Sequence, residues 1–115
     1  NHFSYICELL NEFDLAYLHI VDALEGDIRH GANVVDLSVL SEAYKGVLIA
    51  NGGYTKERGN NAIQSGLADA VAFGALFLAN PDLPERFKTD APLNAPNPDT
   101  FYTQGEEGYL DYPTL

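Results

Sequence analysis

Two runs of the chain limit most of what it can fold into: Leu48-Ile-Ala-Asn-Gly-Gly-Tyr54 and, further on, Ala70-Val-Ala-Phe-Gly-Ala-Leu-Phe-Leu-Ala-Asn-Pro-Asp82. Each reads as a short apolar strand running into glycine and then into a helix start. That shape leaves backbone N–H groups unpaired and aims them at a common point, which attracts phosphate.

The charge balance limits what such a point can hold. Six Lys and Arg against seventeen Asp and Glu give a net charge of −11, so nucleic acid would be repelled by most of the surface. Any anion taken here must be small and held locally. With 46% hydrophobic and 20% charged residues, the composition is that of a globular protein, and no apolar run is long enough for a membrane-spanning helix. The single cysteine, Cys7, excludes an internal disulfide and lacks partners at metal-ligand spacing, so it reads as a small apolar residue on a helix face. No signal peptide is legible and the expected location is cytoplasmic. The first residue is Asn, which suggests a piece cut from something longer.

At 115 residues one domain with a modest core is expected. Phe3, Ile6, Leu10 and Phe13 fall at helical spacing with Leu9 beside them, and Glu8, Asn11 and Glu12 fall opposite. Leu15 to Val21 is nearly continuously apolar and rich in β-formers, which suits a strand covered on both faces. Asp22 to Val35 has little periodicity and reads as a loop. Asp36 can cap a helix carrying Leu37, Leu40 and Tyr44 on one face, with Gly46 as a left-handed terminator. Val47 to Ala50 is the second strand, Thr55 caps a helix ending at Gly66, and Ala70 to Phe73 is the third strand. Asn80-Pro81 opens a short helix over Leu83 to Phe87. Residues 88–115 carry Pro92, Pro96, Pro98 and Pro113 and read as an irregular, wrapping tail.

Alternating strands and helices mean βα units and a parallel sheet. Three strands do not finish such a sheet, because parallel strands need both faces and both edges protected. The simplest organisation is therefore α/β: the last three strand–helix units of a (β/α)8 barrel plus the tail, a single partial domain over 1–115. The phosphate site of such barrels commonly lies on the loops after the last two strands, where Gly52, Gly53 and Gly74 would fall.

Beyond the glycine corners, a longer string of motifs carries a resemblance. Leu15-Ala-Tyr-Leu-His19, Ile49-Ala-Asn-Gly-Gly-Tyr-Thr55, Ala68-Asp-Ala-Val-Ala-Phe-Gly74, Ala79-Asn-Pro-Asp-Leu-Pro-Glu-Arg-Phe87, Ala91-Pro-Leu-Asn94, Thr100-Phe-Tyr102 and Gly108-Tyr-Leu-Asp-Tyr-Pro113 occur in order along essentially the whole chain. Together they resemble the carboxyl-terminal third of the old yellow enzyme family, which includes bacterial alkene and N-ethylmaleimide reductases and plant 12-oxophytodienoate reductases. The resemblance implies an FMN-containing (β/α)8 barrel that takes hydride from NAD(P)H and passes it to an activated alkene. It implies that backbone groups around Asn51, Gly52, Gly53, Gly74 and Ala75 face the FMN phosphate. Tyr102 would line the cleft over the flavin and orient the substrate, with anchoring of the tail as its alternative role.

The sequence departs from the family pattern in two places. Relatives usually read Phe-Gly-Arg where this chain has Phe73-Gly74-Ala75, so a charge-assisted phosphate contact is reduced to a backbone N–H. The His/Asn or His/His pair that holds the substrate carbonyl, the proton-donating tyrosine and the arginine beside the flavin's pyrimidine edge all lie upstream of this region in the family. No catalytic residue is therefore assigned, and the chain is expected to need the amino-terminal part of the barrel or self-association.

Several other side chains have two readings. His19 sits within the first strand as a core or lumen residue, while His2 and His30 read as surface. Asp22, Glu25 and Asp27 form an acidic loop without EF-hand spacing, so no metal is expected. Glu106, Glu107 and Asp111 lie in a tail expected to pack on its aromatics. Tyr54 and Phe73 read as core. Arg58 either lends a cation to the phosphate or forms a surface salt bridge with Glu57 or Asp82, the latter being favoured. Two further function classes stand beside the ene-reductase. One is a noncatalytic remnant or assembly module. The other is a different phosphate-binding barrel such as a sugar-phosphate isomerase, against which the motif around Tyr102 speaks. With the upstream residues missing, the purified 115-residue chain should not reduce 2-cyclohexenone in the presence of FMN and NADPH, and turnover well above a protein-free blank would refute this.

Overall fold

The computed structural model describes residues 2–22 and 35–115. The chain divides into two compact units, Asn1–Ala72 and Phe73–Leu115. Most of the loop expected over Asp22 to Val35, with His30, Glu25 and Asp27, lies outside the described residues.

The first unit opens with helix α1, His2–Leu10. It ends before Phe13, in a tightened turn whose N–H groups at Asn11, Glu12 and Phe13 each reach a carbonyl three residues back. Cys7 is the buried residue of this helix, and burial pushes its thiol up from the ordinary range. The expected apolar stripe is corrected: Phe3, Ile6, Leu9 and Phe13 are exposed and Leu10 is half-buried, while the helix packs on helix α2, Leu37–Ala43. Helical spacing identifies an apolar face without saying what covers it. The Asn11 side chain joins the ends of the two helices, donating to the carbonyl of Ala43 and accepting from the N–H of Lys45, both at 2.8 Å.

At the start of α2, the Asp36 carboxylate accepts from the Ser38 N–H, which also holds this acid below its usual range. The other end differs from expectation. Gly46 is not left-handed; the helix stops at Ala43, with Tyr44 extended and its N–H on the Leu40 carbonyl. The buried Tyr44 ring folds over Gly46, and a Cβ there would run into the ring and its hydroxyl. Glycine is required at this place by close approach and not by φ.

Strands β1, Leu18–Val21, β2, Leu48–Asn51, and β3, Ala70–Val71, form a parallel sheet in the order β1-β2-β3. The register pairs Leu18 with Leu48 and Val21 with Asn51, then Ile49 with Ala70. The central strand is the best covered, with Ala50 fully buried. Strand β1 is shorter than the run from Leu15 and alternates: Leu18 and Ile20 are half-buried, His19 and Val21 exposed. The expectation of cover on both faces is thus corrected for this chain, because continuous apolarity cannot tell a two-sided strand from a one-sided one, and of the core and lumen readings of His19 the core one does not hold. The third strand stops at Val71 and not at Phe73, although the Ala72 N–H still reaches the Ala50 carbonyl at 2.8 Å. Between β2 and β3 runs helix α3, Lys56–Gln64, with Thr55 as its N-cap and Gly66 left-handed at φ +73° beyond its end, both as the sequence indicates.

The second unit contains two short helices, α4 over Ala75–Ala79 and α5 over Leu83–Thr89, then an irregular tail broken by one 3₁₀ turn at Pro98–Thr100. Phe73 packs edge-on against Phe87, ring centroids 5.3 Å apart. Two buried polar residues organise the remainder. The fully buried Asn80 side chain donates to the carbonyls of Leu76 and Asn94 and accepts from the Asn94 N–H. Arg86, 5% exposed, donates to Asp82 at 2.7 Å and to the carbonyls of Pro92 and Pro113. Asn94 reaches back to Ala79 and Pro113, and Asp82 accepts from the Leu115 N–H. The tail is therefore held by polar bonds, while Tyr109 and Leu110 stand exposed, which corrects the expected aromatic packing. Asp111 caps locally, accepting from the Gly108 N–H at 2.7 Å.

Replacing Arg86 by Met removes a buried charge together with three partners, and should destabilise this unit by about 2–4 kcal/mol in urea denaturation. Acid should act on the same latch. The Arg86 side chain, and then the Leu115 N–H, hold the Asp82 carboxyl below its usual range. A depressed carboxylate stabilises the fold above its ordinary titration range, and this contribution disappears as pH falls through the lowered value. Amide protection of the tail should therefore fall on acidification and be insensitive between neutral pH and the ordinary carboxylate range.

Candidate functional site

The glycine corner of the first unit begins at the carboxyl end of β2. The Asn51 carbonyl accepts from the Asp22 N–H at 2.7 Å, which ties the ends of β1 and β2. Gly52 then takes φ +113° and Gly53 φ +60°, both in the region that favours glycine. At Gly52 space is limiting as well: a Cβ would lie 2.5 Å from the Asp22 carbonyl oxygen and 3.2 Å from its nitrogen.

Arg58, in the first turn of α3, closes the corner. Its guanidinium donates to the Gly52 carbonyl at 2.8 Å and to that of Gly53 at 3.4 Å, and its other arm meets Asp22 Oδ2 at 2.8 Å. The cation lies 4.2 Å above the ring of the buried Tyr54. Burial pushes the Tyr54 phenol up, with Arg58 pulling it down and Asp22 pushing it up further. Tyr54 is a core residue as read from the sequence. The ion-pair partner of Arg58 is corrected: it is Asp22, and neither Glu57 nor Asp82, the latter being engaged by Arg86. Sequence distance hid this pair, because Asp22 and Arg58 meet only through the pairing of β1 with β2.

A trans peptide sets its carbonyl and N–H in opposite directions. With the carbonyls of Gly52 and Gly53 turned to the guanidinium, the N–H groups of Gly53 and Tyr54 point away from it. Among the described residues no backbone carbonyl accepts from either.

The other corner lies in the second unit. Gly74 is the N-cap of α4 with no side-chain cap, its carbonyl accepts from the Leu78 N–H at 3.0 Å, and both Gly74 and Ala75 are exposed. Ala75 offers only its N–H. Tyr102 is 97% exposed just after the 3₁₀ turn, with the Phe101 ring 6.5 Å away, so it does not anchor the tail. Anchoring falls to Tyr112, whose hydroxyl accepts from the Asn97 N–H at 2.9 Å, and to Arg86. Of the six residues singled out from the sequence, Asn51, Gly52 and Gly53 form one local corner, Gly74 and Ala75 another, and Tyr102 stands alone in the tail. Asn80 and Arg86 were legible only as parts of a helix start and a motif, since an asparagine before proline signals a turn and says nothing of burial.

No helix among the described residues is long and apolar enough to cross a membrane. No family model matches the chain. The chain is 45% identical over 115 residues to 12-oxophytodienoate reductase 2 of Arabidopsis thaliana, an alignment that covers 96% of this chain and 30% of that one. The old yellow enzyme from Trypanosoma cruzi superposes with a TM-score of 0.88 at 42% identity, covering 98% of this chain and 29% of that structure. Morphinone reductase superposes with a TM-score of 0.85 at 41% identity and similar coverage. Parallel strands, connecting helices and these superpositions define a segment of an α/β barrel. The chain carries the carboxyl-terminal third of the old yellow enzyme family's fold, and it spans about 30% of the length of the relatives it matches.

The two corner glycines should respond differently to substitution. Gly52→Ala should lose about 1–3 kcal/mol from the strained φ alone, and more from the collision with Asp22. Gly74→Ala meets open space at negative φ and should change stability by less than about 0.5 kcal/mol, both read from urea midpoints.

Proposed function

We propose that this chain is the FMN-phosphate-binding segment of an ene-reductase that reduces activated alkenes with NAD(P)H. One observation carries the reading most directly: the strand–Gly-Gly corner, placed in the family's order of motifs, has both carbonyls drawn to one side, which leaves the N–H groups of Gly53 and Tyr54 for an anion. The family's order of motifs extends the proposal to Gly74 and Ala75, which have an uncapped helix start of their own. When bound, FMN would supply the hydride transfer. The residues of this chain would hold its phosphate and, through the exposed Tyr102, face the substrate. A small dianion suits the acidic chain, since only local donors attract it.

The rest of the barrel is the partner proposed to cover the exposed apolar residues of the first unit, Phe3, Ile6, Phe13 and Val21 among them. A second reading, a noncatalytic remnant of such a barrel, is favoured by Ala75 alone, which removes the charged phosphate contact relatives usually have.

FMN titration followed by flavin fluorescence tests the assignment. A charge-assisted contact is worth about 1.5–3 kcal/mol, so Ala75→Arg should tighten FMN by roughly tenfold to somewhat over a hundredfold. If neither form quenches the flavin, the chain does not bind FMN and the reading fails.

A further inference from the structure

The geometry points to Arg58 as a positioning residue that never touches the anion: it draws the carbonyls of Gly52 and Gly53 to its own side and thereby sets the N–H groups of Gly53 and Tyr54 as the phosphate-facing pair. The inference rests on the phosphate assignment above and deepens it.

Three contacts fix the guanidinium and one fixes its plane. It bonds the Gly52 and Gly53 carbonyls and Asp22 Oδ2, and it stacks on the Tyr54 ring. Asp22 closes the ladder at the end of β1, so the cation braces the corner against the neighbouring strand. A guanidinium can do this because its donors diverge in a rigid planar fork, whereas an ammonium is a point charge on a flexible stem. The Arg58 side chain, still 43% exposed, turns both arms of its fork to protein oxygens, Nη1 to the glycine carbonyls and Nη2 to Asp22, as a brace would. Without it, two glycines at positive φ would be free to rotate their peptide planes and present carbonyl oxygens where N–H groups now lie. Tyr54 thus contributes its backbone N–H to the site while its ring serves as the platform of the brace.

Amide NMR of the nitrogen-labelled chain, titrated with inorganic phosphate, tests this. In the unsubstituted chain the Gly53 and Tyr54 amides should shift, and Arg58→Gln should need about tenfold more phosphate for the same shift. Arg58→Lys keeps the charge and should not restore the response; full restoration by lysine would show that charge alone acts and overturn the inference. The β2 amides report folding in the same spectra. If Arg58→Gln unfolds, Arg58→Lys and Asp22→Asn decide: both should respond more weakly than the parent chain, and parental responses from both would overturn the inference. Should FMN quench while the Gly53 and Tyr54 amides ignore phosphate in every form, the inference fails and the FMN assignment stands. Should neither happen, both fail.

Discussion

A single guanidinium holds together the part of this molecule where function is expected. Arg58 joins the carboxyl ends of two adjacent parallel strands, through Asp22 after β1 and the Gly52 and Gly53 carbonyls after β2. As a stabilising interaction it is modest, because the pair is partly exposed and such pairs contribute about 0–1 kcal/mol. Its effect is directional. Two consecutive glycines give the backbone freedom to place its N–H groups on either side, and the cation selects the side.

The second unit solves a different problem with similar chemistry. A tail with little regular structure has many backbone groups to satisfy, and burying them unpaired would be costly. Asn80, Arg86 and Asn94 supply donors that reach the carbonyls of Leu76, Ala79, Pro92, Asn94 and Pro113. Two of the partner residues, Pro92 and Pro113, lie in the irregular tail, and two others, Leu76 and Ala79, belong to helix α4. The polar side chains thus join the end of α4 to the tail that follows α5.

The alternation of strands and helices, the caps at Asp36 and Thr55, the Gly66 terminator and the parallel sheet were all legible, because each rests on local chemistry: a side-chain oxygen near a free N–H, a glycine where φ turns positive, an apolar run between turns. What the sequence hid depends on contacts between distant segments. Gly46 looks like a helix terminator and is instead a slot for the Tyr44 ring. The stripe from Phe3 to Phe13 has the right period for a buried face and is exposed, since periodicity does not identify the covering surface. The two glycine corners were found from the residues, whereas Arg58's partner, the outward pose of Tyr102 and the burial of Arg86 emerge only from strand pairing and tail packing.

The central claim is that this chain recognises the phosphate of a flavin and not its ring. Comparing FMN with riboflavin, which lacks the phosphate, in the same fluorescence titration tests that claim most directly. Phosphate recognition through backbone N–H groups predicts that FMN binds at least about tenfold more tightly than riboflavin. Equal affinities for the two would contradict it.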